Sequence, residues 1–196
     1  MLRALLERGI EPVVATGSST GSLVAAAYAS DQLDALEVWV RSLTKIDVWR
    51  LLDATFTGGG VMRGNRLMRA VGEQLEDREI ETLARQFGAV AVDLYAGNEV
   101  WIQQGSLLNA VRASSGLPGL FTPTPYEGRW LIDGGVLNPV PVSFCRALGA
   151  DYVIAVNLSP PVARSQARHA SPEKEPAATD SLSTDDSAEL IARWSG

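Results

Sequence analysis

Apolar positions along this chain alternate between strand-like runs and helix-spaced patterns, and that alternation predicts an α/β fold. Residues 1–8 read as a helix with no capping residue ahead of it, and Gly9 follows where a helix takes a left-handed terminator. Residues 13–15 are a short apolar run that stops at Gly17, and an alanine-rich helix follows at 23–28, so strand, sharp turn and helix succeed one another. Helices are expected at 31–41, with Leu33, Leu36, Trp39 and Val40 in phase, and at 65–75, with Leu67, Met68, Val71 and Leu75 on one face. Trp39 and Trp49 are taken as core or lid aromatics rather than ligands. Residues 55–60 must be loop.

The second half repeats the alternation. Residues 87–95 are largely apolar and predict an internal strand, 96–98 a turn, and 99–103 a strand pairing back as a hairpin. A helix at 107–113 runs into a Ser/Gly/Pro segment, 114–123, that is too irregular for regular structure yet apolar enough to be buried, as pocket-lining segments are. Residues 129–132 are a strand that ends on Asp133, where Gly134 and Gly135 turn the chain away. A helix at 142–148 capped by Gly149 and a further buried strand at 151–157 complete the pattern. From Ser159 large apolar residues become scarce. The expected organisation is a folded domain over 1–158, a disordered low-complexity tail over 159–187 and a short helical piece over 188–196.

Composition narrows the function classes. The 196 residues suit one domain with a sizeable core, and a net charge of −6 without Lys/Arg runs argues against nucleic-acid binding. The single cysteine, Cys145, permits no intramolecular disulfide or cysteine metal cluster, and its place in an apolar helix makes it a packing residue. No cofactor or metal is called for. No stretch of about twenty apolar residues is present and the N-terminus lacks a signal-peptide layout, so the expectation is a cytoplasmic enzyme, with peripheral membrane contact left open.

The candidate chemistry sits at Gly17-Ser18-Ser19-Thr20-Gly21, a G-x-S-x-G pattern between strand and helix. Such a turn pushes a serine hydroxyl clear of the sheet, glycines at 17 and 21 let strand and helix approach, and the Thr20 amide at the helix start can face an oxyanion. The pattern alone also suits a loop that binds phosphate or nothing. A glycine triplet at 58–60 ahead of Arg63 and Gly64 invites a phosphate-binding reading too, but no apolar strand runs into it, and a flexible connection is preferred. A serine nucleophile needs a base. The single histidine, His169, lies in the low-complexity tail, which leaves Asp133. A carboxylate is a poor base at its ordinary pKa of about 4, and burial among apolar residues makes a better one.

Three stretches together resemble the bacterial patatin-like phospholipases: Gly17-Ser18-Ser19-Thr20-Gly21, then Ala113-Ser114-Ser115-Gly116-Leu117-Pro118-Gly119-Leu120-Phe121, then Asp133-Gly134-Gly135-Val136-Leu137-Asn138-Pro139-Val140-Pro141. The resemblance covers residues 1 to about 157. It implies a three-layer α/β/α sandwich with a mostly parallel central sheet, and hydrolysis of lipid acyl esters by a Ser–Asp dyad. It assigns Ser19 as nucleophile and Asp133 as proton acceptor, with a lipid or acyl ester as the binding partner. That family carries a glycine-rich, arginine-containing oxyanion loop upstream of the elbow, and this sequence starts within what looks like the helix after it. The residues at 58–64 do not take over that role. Two expectations follow: the protein begins upstream of Met1, or the chain is a weakly active or non-catalytic lipid-binding remnant of the fold.

Overall fold

The computed structural model describes residues 1–51 and 64–158; the glycine triplet, Arg63, His169 and the tail from Ser159 lie outside the described residues. The elements run α1 (Leu2–Leu6), β1 (Val14–Ser18), α2 (Thr20–Ala29), α3 (Leu33–Ser42), α4 (Lys45–Leu51), α5 (Asn65–Gln74), β2 (Gln86–Asp93), β3 (Glu99–Ile102), α6 (Leu107–Ser114), β4 (Thr124–Tyr126), β5 (Arg129–Asp133) and α7 (Val142–Ala147). Two 3₁₀ turns, Ile80–Thr82 and Gly134–Val136, precede β2 and follow β5.

Strand β2 organises the sheet because seven of its eight residues are buried, as a strand covered on both faces requires. Its Ala89 and Val90 pair with β1 on one side and β3 on the other, while Ala91 and Val92 pair with β3 and β5. An edge can hold one strand at each position. Strand β3 therefore lies along one edge of β2, and β1 and β5 share the opposite edge end to end. The backbone bonds agree: the Gln86 and Leu94 amides, an even step apart, donate to Val13 and Trp130, whereas Asp93 donates to Asn98. Strand β4 pairs with β5.

The sheet is mixed rather than mostly parallel over the described residues. Only β1 runs parallel to β2; β3, β5 and β4 pair antiparallel. Short connections explain two of these pairings, since a turn at 94–98 joins β2 to β3 and Glu127-Gly128 joins β4 to β5, and tight turns reverse the chain. The β4 hairpin went unanticipated in the sequence because Pro125 argues against a central strand; as an edge strand it is tolerated.

Side-chain alternation divides the core between two layers. Phe87, Ala89 and Ala91 of β2 and Leu131 of β5 face a cluster with Ala25, Ala26, Ala27 and Ala29 of α2, Leu36 of α3, Val71 of α5 and Val111 of α6. The opposite face carries α7. A Cβ on Gly88 would come within 2.4 Å of the Phe144 ring, which is 1% exposed and stacks on Trp101 of β3 at 4.6 Å. Helices thus cover both faces of the sheet, the three-layer α/β/α arrangement. Cys145 is buried beside Phe144, the packing role its position suggested.

A further expectation fails. Residues 151–157 form no strand, and Tyr152, Ile154 and Val156 are exposed. An apolar run makes a strand only where its N–H and C=O groups find a ladder, and this one pairs with no described strand. Trp39 packs against the core as expected, whereas Trp49, on the unanticipated helix α4, is 71% exposed.

Candidate active site

Ser19 sits between β1 and α2 with φ 55° and ψ −128°, a backbone geometry an L-residue adopts only under strain, costing on the order of 1–3 kcal/mol. Strand and helix approach closely at this turn. A Cβ on Gly17 would lie 2.2 Å from the Gly21 carbonyl carbon, so the strand needs glycine there. Gly21 is different: a Cβ on it would meet nothing within 4 Å. The close approach expected of both glycines belongs to Gly17 alone.

Ser19 occupies the N-cap position of α2 but makes no side-chain capping bond, which leaves its hydroxyl available. The helix start is held by the serine's carbonyl, which accepts from the Ser22 hydroxyl at 2.6 Å and the Ser22 amide at 2.9 Å. Thr20, the first helical residue, is exposed, and its N–H has no acceptor within the helix, as at every helix start.

Asp133 ends β5 and is 2% exposed. Its pairing partner, Ala91, directly follows the partner of Ser18, Val90. The C-terminal ends of β1 and β5 therefore meet head to head on one edge of β2, bringing the elbow and the aspartate together. Asp133 shares with Leu131 and Ala91 the sheet face covered by α2 and α6. One carboxylate oxygen accepts the Gly135 amide at 2.7 Å, capping the 3₁₀ turn. Gly134 crosses β2 so tightly that a Cβ would lie 2.1 Å from the Val90 oxygen. In the Asp-Gly-Gly turn, one glycine thus gives clearance and the other gives its amide.

The segment at 114–116 ties the two residues together. The Ser19 amide donates to the Ser114 hydroxyl at 3.0 Å and to the Ser114 carbonyl at 3.1 Å. The Asp133 amide donates to the Gly116 carbonyl at 2.9 Å. Farther along, Ser115, Gly116, Phe121 and Thr122 line a small cleft of about 30 Å³ against Leu67 and Met68 of α5. A second anchor lies after Asp133: the Ser18 hydroxyl donates to the Asn138 carbonyl at 2.6 Å, and the Asn138 side chain donates to Glu99 of β3 at 3.1 Å. No local pattern in the sequence marks these supports individually, because each becomes meaningful only once distant elements pack.

A model of the patatin-like phospholipase family matches residues 1–145. The chain belongs to the patatin-like phospholipase family. Its three-layer arrangement is the patatin fold. An uncharacterized NTE family protein of Mycobacterium bovis is 40% identical over 159 residues, 81% of this chain and 44% of that protein. Patatin-like phospholipase domain-containing protein 6 of Homo sapiens is 31% identical over 165 residues, 81% of this chain and 12% of that protein. Patatin-like phospholipase domain-containing protein 7 of Rattus norvegicus is 30% identical over the same coverage. This patatin-like chain therefore spans less than half the length of these relatives. Among the described residues no helix is long and apolar enough to cross a membrane.

Proposed function

We propose that the chain is a serine acyl hydrolase acting on lipid esters, with Ser19 as nucleophile and Asp133 as base. The observation that supports this reading is the head-to-head meeting of β1 and β5, whose ends lead into Ser19, strained and uncapped, and Asp133, a buried carboxylate. In this reading the Ser19 hydroxyl attacks the acyl carbonyl as its proton passes to Asp133. The Thr20 amide faces the developing oxyanion, and the helix start adds its positive dipole end. Collapse of the tetrahedral species releases the alcohol, which takes the proton from Asp133, and leaves an acyl-serine. Water then attacks the acyl-serine as Asp133 accepts its proton, and collapse frees the fatty acid while Asp133 returns that proton to the departing Ser19 oxygen, restoring the enzyme. The substrate is an acyl ester of lipid type, met at a membrane surface by peripheral contact.

A fluorophosphonate probe should label the wild-type chain and leave Ser19→Ala unlabelled. Equal labelling of the two would refute the nucleophile assignment. Asp133→Asn keeps an oxygen that can accept the Gly135 amide, so it should fold, while losing roughly 10²–10⁴-fold in p-nitrophenyl ester turnover, the usual worth of a general base. A folded, fully active Asp133→Asn protein would remove Asp133 from the mechanism. Stoichiometric fatty-acid binding with neither labelling nor turnover would instead favour a non-catalytic lipid-binding role.

A further inference from the structure

Parallel ladders advance two residues per rung on each strand, and the pairing of β1 with β2 fixes which rung comes next. The Gln86 amide donates to the Val13 carbonyl, and the register runs from Val14 opposite Gln86 to Ser18 opposite Val90. The next rung would carry the Ser19 amide to the Val90 carbonyl. That rung is not made directly. The Ser114 hydroxyl stands in the gap: it accepts from the Ser19 amide at 3.0 Å and donates to the Val90 carbonyl at 2.5 Å. Ser114 is fully buried at the end of α6, and its own carbonyl accepts the same Ser19 amide at 3.1 Å.

We infer that Ser114 is a positioning residue for the nucleophile: its hydroxyl replaces one rung of the sheet and holds Ser19 off β2. The inference rests on Ser19 being the nucleophile. Inserting one oxygen between donor and acceptor lengthens the connection, so the chain leaves the strand at Ser19 instead of continuing along β2. The left-handed φ of Ser19 is the backbone's answer to that deflection. Without the hydroxyl, the Ser19 amide and Val90 carbonyl are free to close their direct rung, which draws the nucleophile back toward the sheet. Such a retreat slows the chemical step and leaves substrate binding alone. Displacement of a reacting group by about 1 Å costs on the order of 10²-fold.

The experiment measures fluorophosphonate labelling against probe concentration, separating the maximal rate from the half-saturating concentration. It compares wild type, Ser19→Ala, Ser114→Ala, Ser114→Cys and Ser30→Ala, with unfolding midpoints for each. Ser30→Ala deletes another buried serine hydroxyl, at the far end of α2, where it bonds Ala26, and so reports what loss of stability alone does. Ser114→Ala should lower the maximal rate roughly ten- to a hundredfold with half-saturation unchanged, while Ser30→Ala keeps the wild-type rate. Ser114→Cys fills the site with a weak hydrogen-bonding group and should fall in between; it also carries the test if Ser114→Ala does not fold. A Ser114 variant that is folded and labels at the wild-type rate, where Ser19→Ala is unlabelled, overturns this inference alone. Labelling that Ser19→Ala fails to abolish overturns the nucleophile assignment and this inference with it.

Discussion

Gly17 and Gly21 look equivalent in the G-x-S-x-G pattern, and the structure gives them opposite roles. Gly17→Ala would drive a methyl to 2.2 Å from the helix backbone and should cost about 3 kcal/mol or more, since neither strand nor helix can move without unseating Ser19. Gly21→Ala meets open space and replaces a poor helix former, so it should leave stability unchanged or raise it by up to about 1 kcal/mol. Urea unfolding midpoints of the two variants test the contrast; equal destabilisation would mean the helix, not the strand, sets the approach. The elbow was legible because all its parts lie within a few consecutive residues. The role of Ser114 was not, because its partners Ser19 and Val90 lie 95 and 24 residues away. Asn138 and Glu99 were hidden for the same reason.

At the scale of elements, short-range chemistry again separates what could be read from what could not. Helix α4 carries a signal the apolar pattern does not show: the Thr44 hydroxyl accepts the Asp47 amide at 3.2 Å, and Asp47 accepts the Thr44 amide at 3.0 Å, a reciprocal capping box. The hairpin from β2 to β3 was readable from its turn residues, and Asp93 fastens it. Its carboxylate accepts the amides of Ala96 and Tyr95, both at 3.0 Å, and these bonds, with the charge of Arg129 nearby, hold its pKa below the ordinary value. A carboxyl depressed in the folded state contributes stability above its unfolded pKa of about 4 and loses it as pH falls through the folded value. Acidification from about pH 5 downward should therefore loosen this hairpin. Asp93→Asn should flatten that part of the stability profile, measured as unfolding midpoint against pH. An unchanged acid limb would show that other carboxylates dominate it.

Across the whole molecule, the sandwich emerges from strands that read as apolar runs, while the order of those strands does not. The apolar run at 151–157 looks as strand-like as β2, yet β2 has neighbours on both edges and residues 151–157 pair with no described strand. Hydropathy reports a preference for burial; the hydrogen-bonding partner decides the element. The same limit concealed how β1 and β5 divide a single edge of β2, the feature on which the candidate site depends.

That shared edge has a consequence for how the chain folds. The bonds that anchor the elbow, Ser19 to Ser114, Ser18 to Asn138 and Thr16 to Pro141, close loops of 95, 120 and 125 residues. Loop closure on that scale is slow, whereas helices such as α2 and α6 form from local contacts. Nucleophile strain can be imposed only after Ser114 has been brought back to the elbow across its 95-residue loop. During refolding from urea, far-ultraviolet circular dichroism should recover before fluorophosphonate reactivity, and the lag between them times the closure of the sheet. Simultaneous recovery would mean that the elbow takes its shape from local sequence alone.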